Sequence, residues 1–216
     1  MKNLVVLISG RGSNLRALLA AGLPARTAAV ISDRPGVAGL AIAEEFGVPA
    51  AVIDHRAAVS REAFDDALAA EIDRHDPALV ILAGFMRVLG RAFVERYAGR
   101  LMNIHPSLLP VFPGLHTHRR ALAAGARIHG CTVHFVTPSL DSGPIVIQAA
   151  VPVLESDDED SLAARVLAQE HRIYPQAVRW FLEGRLAAGP DGRVRLSGDP
   201  VIPGPLLWPA LDAPGR

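Results

Sequence analysis

Over its first two thirds the chain alternates short, continuous apolar runs with longer stretches of helical spacing, and this alternation restricts the fold more than any other feature. LVVLIS (4–9), TAAVIS (27–32), AAVID (50–54) and ALVILAG (78–84) are strand candidates. They are apolar throughout, the pattern of strands covered on both faces. Between them lie NLRALLAAG, VAGLAIAEEFG and SREAFDDALAAEIDRH, each helically spaced, with Gly22 and Gly47 as stops. Strand–helix–strand order predicts parallel pairing through right-handed crossovers, hence an α/β fold with a mostly parallel central sheet flanked by helices. Ligands of such sheets bind beyond the carboxyl ends of the strands, at a switch in strand order. Gly12-Ser13-Asn14, Gly84-Phe85-Met86-Arg87 and residues 103–106 all fall there.

After residue 125 the texture changes. IHGCTVHFV and PIVIQAAVPV, joined by TPSLDSG, predict an antiparallel pair with a structured connection. A long helix follows over about 161–183, kinked at Pro175. From Gly189 onward the chain is rich in Pro and Gly without a period, so 189–216 is predicted to be an irregular tail with no functional role. A length of 216 residues suits one well-filled domain, placed at 1–188, and 50% hydrophobic content excludes a disordered chain. The 22 basic residues balance 22 acidic ones, which removes the electrostatic case for nucleic acid or anionic membrane as a partner. The lone Cys131 cannot form an internal disulfide or a thiolate zinc site, and its apolar run CTVHFV predicts an inert, buried thiol. NLVVLISG is too short to span a membrane and no secretory cleavage site follows it, so the chain is expected in the cytoplasm.

Several residues stand out against this frame. SGRGSNLRALL leaves the first strand and opens a helix, where Ser13 or Asn14 can cap and free N–H groups favour an anion. It lacks the lysine of a P-loop and the full GxGxxG pattern, so a plain tight turn and a phosphate site both remain open. In LMNIHPSLLP, Asn103 and His105 sit two apart, and Pro106 favours the extended backbone that aims both to one side. They are a satisfied polar pair at a strand end, or an amide and an imidazole serving a developing oxyanion. His134 shares a strand face with Thr132, a structural or a catalytic position. His116 and His118 have no HExxH spacing or carboxylate cluster beside them, so no metal is expected. Asp141 in TPSLDSGP is a turn residue or the carboxylate partner of a histidine. Glu170 lies in the apolar arc of Leu162, Val166, Ile173, Ala177 and Phe181, away from Arg165, Arg172 and Arg179. A carboxylate there must be paired or face a ligand.

LISGRGSNL, LAGFMRVL, NIHPSLLPVFPGLHTHR, HGCTVHFVTPSLDSGPIVIQ and QEHRIYP, in unbroken order from about residue 3 to residue 186, resemble the folate-dependent phosphoribosylglycinamide formyltransferases of purine biosynthesis. The resemblance implies a Rossmann-like formyltransferase fold with an antiparallel C-terminal portion. It also implies a phosphate-binding half over about 1–100 and a catalytic and folate-binding half over about 101–188. The reaction it implies moves a formyl group from 10-formyltetrahydrofolate, a co-substrate, to the amine of N1-(5-phosphoribosyl)glycinamide. Transfer is direct, through a tetrahedral oxyanion, without a metal or a covalent enzyme intermediate. Asn103 matches the family's oxyanion-binding amide and a folate contact, His105 its proton donor, and Asp141 the carboxylate that favours the charged imidazole and relays the proton through water. Gly12, Ser13 and Asn14 match the phosphate segment, and Glu170 the ribose contact. Met86, Arg87, Val88 and Leu89 match the folate segment, with Arg87 and Arg61 toward the folate's glutamate carboxylates. His134 matches a supporting histidine. Only small-molecule partners are implied, in a monomer or homodimer.

Two departures stand out: Ser142 where a second glycine is common, and Val111 where a basic residue often follows SLLP. Methionyl-tRNA formyltransferase would need a further C-terminal domain, and formyltetrahydrofolate hydrolase an extra N-terminal one. A nucleotide-binding module without turnover would have no use for Asn103, His105 and Asp141 together.

Overall fold

A computed structural model of the chain describes residues 1–189 and 191–198. Five strands, β1 (Asn3–Ile8), β2 (Arg26–Ser32), β3 (Ala50–Val52), β4 (Pro77–Leu82) and β5 (Leu101–His105), pair in parallel. β6 (Ile128–Phe135) runs antiparallel to β5, and β7 (Ile145–Pro152) antiparallel to β6. The sheet order is β3-β2-β1-β4-β5-β6-β7, so the order reverses between β1 and β4. This is the mostly parallel, helix-flanked sheet with an antiparallel C-terminal portion expected from the sequence.

Alternate residues of β1 serve opposite layers, which is why its run is apolar throughout. Leu4, Val6 and Ile8 join a cluster with α1 (Ser13–Ala20), α2 (Ala38–Glu45) and α6 (Glu159–Leu182). Val5 and Leu7 join a second cluster with α3 (Arg61–Asp73) and α4 (Arg91–Arg96). α6 starts on a capping box in which Asp158 and Ser161 satisfy each other's backbone N–H groups. It is helical throughout 159–182, with Pro175 buried inside it at the cost of one i→i−4 bond. Tyr174, fully buried, aims its hydroxyl at the Leu82 and Met102 carbonyls, 3.0 and 2.9 Å away, and so ties α6 to the last residue of β4 and to the first half of β5.

Three features of the fold are not legible in the sequence. α4 and α5 (Thr117–Ala123) are helices of six and seven residues, too short to show a period. The third lies in the stretch read as an irregular tail. Within it, β9 (Val194–Leu196) pairs with β8 (Leu186–Ala188), closed by the Gly189 N–H donating to the Arg193 carbonyl at 2.7 Å. Val194 packs against the main core, which is what orders a hairpin too short to declare itself. The rest of the expected tail, 190 and 199–216, lies outside the described residues.

Candidate active site

β5 ends at the sheet's carboxyl edge with Asn103 and His105 on one side, as their spacing predicts. Across the antiparallel ladder Asn103 faces His134 and His105 faces Thr132. His134 Nδ1 lies 2.9 Å from the Phe135 carbonyl, an acceptor, so Nδ1 carries the hydrogen and Nε2 presents a lone pair. The Asn103 amide therefore turns its NH2 toward that lone pair, with Nδ2 at 3.3 Å. Burial pushes the His134 pKa down, which favours this neutral form. His105 is 6% exposed, with Nε2 at 3.0 Å from the Phe112 carbonyl and Nδ1 at 3.4 Å from Asp141 Oδ2. Asp141 Oδ1 lies 4.0 Å from His134 Nε2, so one carboxylate stands between the two imidazoles.

Asp141 reaches this point because its loop folds back on the site. Its φ is +46°, and its Oδ2 accepts from the Gly114 N–H at 2.8 Å. A Cβ at Gly143 would overlap the Phe135 carbonyl, so only glycine lets the loop rejoin β7 here. Ser142 tucks its hydroxyl onto the Ser139 carbonyl at 3.0 Å, which closes the turn.

The turn after β1 supplies a second cluster. Gly12 is the N-cap of α1 at φ +77°, and a Cβ there would come within 2.7 Å of Gly39 Cα. The capping expected from Ser13 or Asn14 does not occur. Ser13 is already the first helical residue, and the Asn14 amide instead donates to Glu170 Oε2 at 2.7 Å. No side chain caps the helix start, whose N–H groups stay available to a ligand. Glu170 is 7% exposed, and burial raises its carboxyl pKa while the Asn14 hydrogen bond opposes the rise. Cys131 is fully buried, and its thiol is pushed up to about 12 by burial and then by the nearby Glu170. A thiol so protonated is a packing residue, as the sequence suggested.

The loop after β4 forms the third wall. Its Met86 N–H donates to Ser9 Oγ at 2.8 Å across the β1/β4 switch, and its Gly90 N–H donates to the Asp65 carboxylate at 2.7 Å. Between these two bonds Met86 and Val88 stand 62% and 63% exposed, whereas Leu89 is buried. Arg61 and Arg87 are exposed, and neither has an ion pair among the described residues. His118 and His129 bond to each other at 3.2 Å, and His116 starts α5 at φ +56°. No group of three or more His, Cys, Asp or Glu side chains among the described residues is arranged to hold a metal.

Ser9, Asp65, Ser107 and the Phe112 carbonyl are not legible in the sequence as parts of the site. Each acts on or through the main chain, which leaves no side-chain signature. An open groove of about 860 Å³ between α2 and β3 contains none of the site residues. Convergent polar groups, not the size of a hollow, mark this site.

An amide donor, an imidazole and a carboxylate at a strand end, at the same carboxyl edge of the sheet as an uncapped helix start, are groups suited to acyl or one-carbon group transfer. Residues 2–178 match the family described as formyl transferase, and the chain belongs to that family. The phosphoribosylglycinamide formyltransferase of Escherichia coli (strain K12) is 52% identical over 188 residues, 85% of this chain and 89% of that one. The crystal structure of glycinamide ribonucleotide transformylase 1 from Symbiobacterium toebii superposes with a TM-score of 0.88 at 50% identity, covering 91% of this chain and 94% of that one. The trifunctional purine biosynthetic protein adenosine-3 of Homo sapiens is 42% identical, over 88% of this chain but 19% of its own length.

Proposed function

We propose that this chain transfers the formyl group of 10-formyltetrahydrofolate to the amine of N1-(5-phosphoribosyl)glycinamide, giving the N2-formyl product and tetrahydrofolate, in de novo purine biosynthesis. One observation carries the reading. Asn103, His105 and Asp141 converge around His134 at the end of β5, at the same carboxyl edge of the sheet as an uncapped α1 start whose Asn14 bonds the buried Glu170. The first cluster suits a developing oxyanion and its proton, and the second suits a phosphate with its sugar.

The α1 N–H groups and the Ser13 hydroxyl receive the phosphate, with Gly12 allowing close approach. Glu170 and Asn14 take the ribose hydroxyls. The exposed Met86–Leu89 backbone and side chains receive the pterin, and Arg61 and Arg87 face the glutamate carboxylates. The acceptor amine attacks the formyl carbon, and the carbonyl pair moves to oxygen. Asn103 donates to that oxyanion through the amide end that His134 fixes, and also contacts the folate. His105 supplies a proton and Asp141 accepts one through water, so collapse of the adduct releases both products. We place the reaction in the cytoplasm, on small molecules alone, in a monomer or homodimer, with no metal among its steps.

The test is formyl transfer measured with and without phosphoribosylglycinamide. Tetrahydrofolate formation should require the acceptor. Formate release at the same rate without it would assign the hydrolase reaction instead.

A further inference from the structure

Two strained residues flank one imidazole. Phe112 (φ +55°) and Asp141 (φ +46°) both occupy the left-handed region, which costs a side-chain-bearing residue on the order of 1–2 kcal/mol. Such strain persists only where the surroundings enforce it. Each of the two meets His105, Phe112 through its carbonyl at Nε2 and Asp141 through its carboxylate at Nδ1. A carbonyl oxygen only accepts, so the nitrogen facing it carries a hydrogen.

The loop is built to keep that carbonyl in place. Ser107 is fully buried, and its Oγ lies 2.6 Å from the Val111 carbonyl and 3.2 Å from that of Phe112. The Arg120 guanidinium sits 5.5 Å over the Phe112 ring and donates to the Pro113 carbonyl. The Phe112 ring also packs edge-to-face with His129, with centroids 6.0 Å apart.

We infer that the Phe112 carbonyl, in the loop that Ser107 fixes by its hydroxyl on the adjacent Val111 carbonyl, commits the Nε2 hydrogen of His105, so that the proton exchanged with the substrates travels on Nδ1; Ser107 is a positioning residue. The proton ledger rests on the formyl transfer proposed above, whereas the orientation of the ring does not. In that ledger the acceptor nitrogen forms its bond to the formyl carbon and then loses a proton, through water, to the Asp141 carboxylate. The oxyanion pair re-forms the C=O bond. The bond from carbon to the folate nitrogen breaks with its electron pair going to that nitrogen, which takes the Nδ1 proton. Asp141 then returns its proton to Nδ1, leaving the enzyme unchanged and one N–H on each product.

The test is nitrogen-15 NMR of histidine-labelled protein, read in the neutral form of His105, together with steady-state kinetics. Wild type should carry its hydrogen on Nε2. Ser107→Ala should shift the ring toward the Nδ1–H tautomer and lower kcat about tenfold, with KM for both substrates within about twofold of wild type. Ser107→Thr, which keeps the hydroxyl, should restore both readouts. An Nδ1–H tautomer in wild type, or an unchanged kcat in Ser107→Ala, would overturn the inference. A wild type with the Nε2–H tautomer that forms no formylated product would overturn the assigned reaction and not the ring orientation.

Discussion

Asp141 is the residue on which the proposed chemistry turns, because one carboxylate lies within 3.4 Å of one imidazole and 4.0 Å of another. Asp141→Ala should lower kcat by about 10²–10⁴-fold, while the unfolding midpoint in urea moves little. Wild-type turnover in that variant would end the relay role. Glu170 makes the opposite trade. Burial raises its pKa, so the ionised form is disfavoured in the folded state, and that penalty grows as pH rises from the unfolded value to the folded one and is complete above it. Glu170→Gln keeps an acceptor for Asn14 and should therefore be more stable than wild type at pH 8, with a KM for the phosphoribosyl substrate raised about tenfold. A KM that moves for the folate instead would remove Glu170 from the ribose. At this scale much of the site was legible. Pro106 and a spacing of two exposed Asn103 and His105, and a carboxylate inside an apolar helical arc exposed Glu170. The side chain that meets Glu170 was not, since Asn14 sits 156 residues away and read locally as a cap.

At the scale of elements, α6 is fastened to the sheet beneath the site by the Tyr174 hydroxyl and by Lys2 Nζ, which donates to the Leu182 carbonyl at 2.7 Å. Tyr174→Phe removes the one buried O–H that the Leu82 and Met102 carbonyls share and should cost roughly 1–3 kcal/mol, read as a lower urea midpoint with an unchanged slope. An unmoved midpoint would mean that the helix is held by packing alone. The elements themselves follow from period and length. β1, β2 and β4 declared themselves as apolar runs, and α6 as an arc. The two short helices did not, because fewer than two turns carry no period, and β9 did not, because its order comes from the core it leans on. The Asn14–Glu170 bond ties α1 to α6 across most of the chain's length.

For the molecule as a whole, buried histidines set the response to acid. Burial drives His129 down to about 4, with its neighbour His118 adding to the effect, and it lowers His118, His134 and His171 as well. A histidine whose folded pKa is depressed contributes stability that is complete above its unfolded value near 6.5. That stability is lost as pH falls toward the folded value. Urea unfolding should therefore show stability nearly flat from pH 7 to 8 and falling between about 6.5 and 4, with His129 alone withdrawing on the order of 2–3 kcal/mol. His129→Phe should flatten part of that decline, and an identical slope in the variant would place the acid response elsewhere.

The Asn14–Glu170 bond has a consequence for synthesis. The turn after β1 precedes its buried partner in the chain by 156 residues. A nascent chain thus carries an exposed Asn14 and an incomplete substrate pocket until α6 has docked, so ligand binding cannot template the early sheet and can only lock the finished one. Two fragments divided after Gly125, in the connection between α5 and β6, would each hold part of the site. Activity would report their reassembly and nothing less.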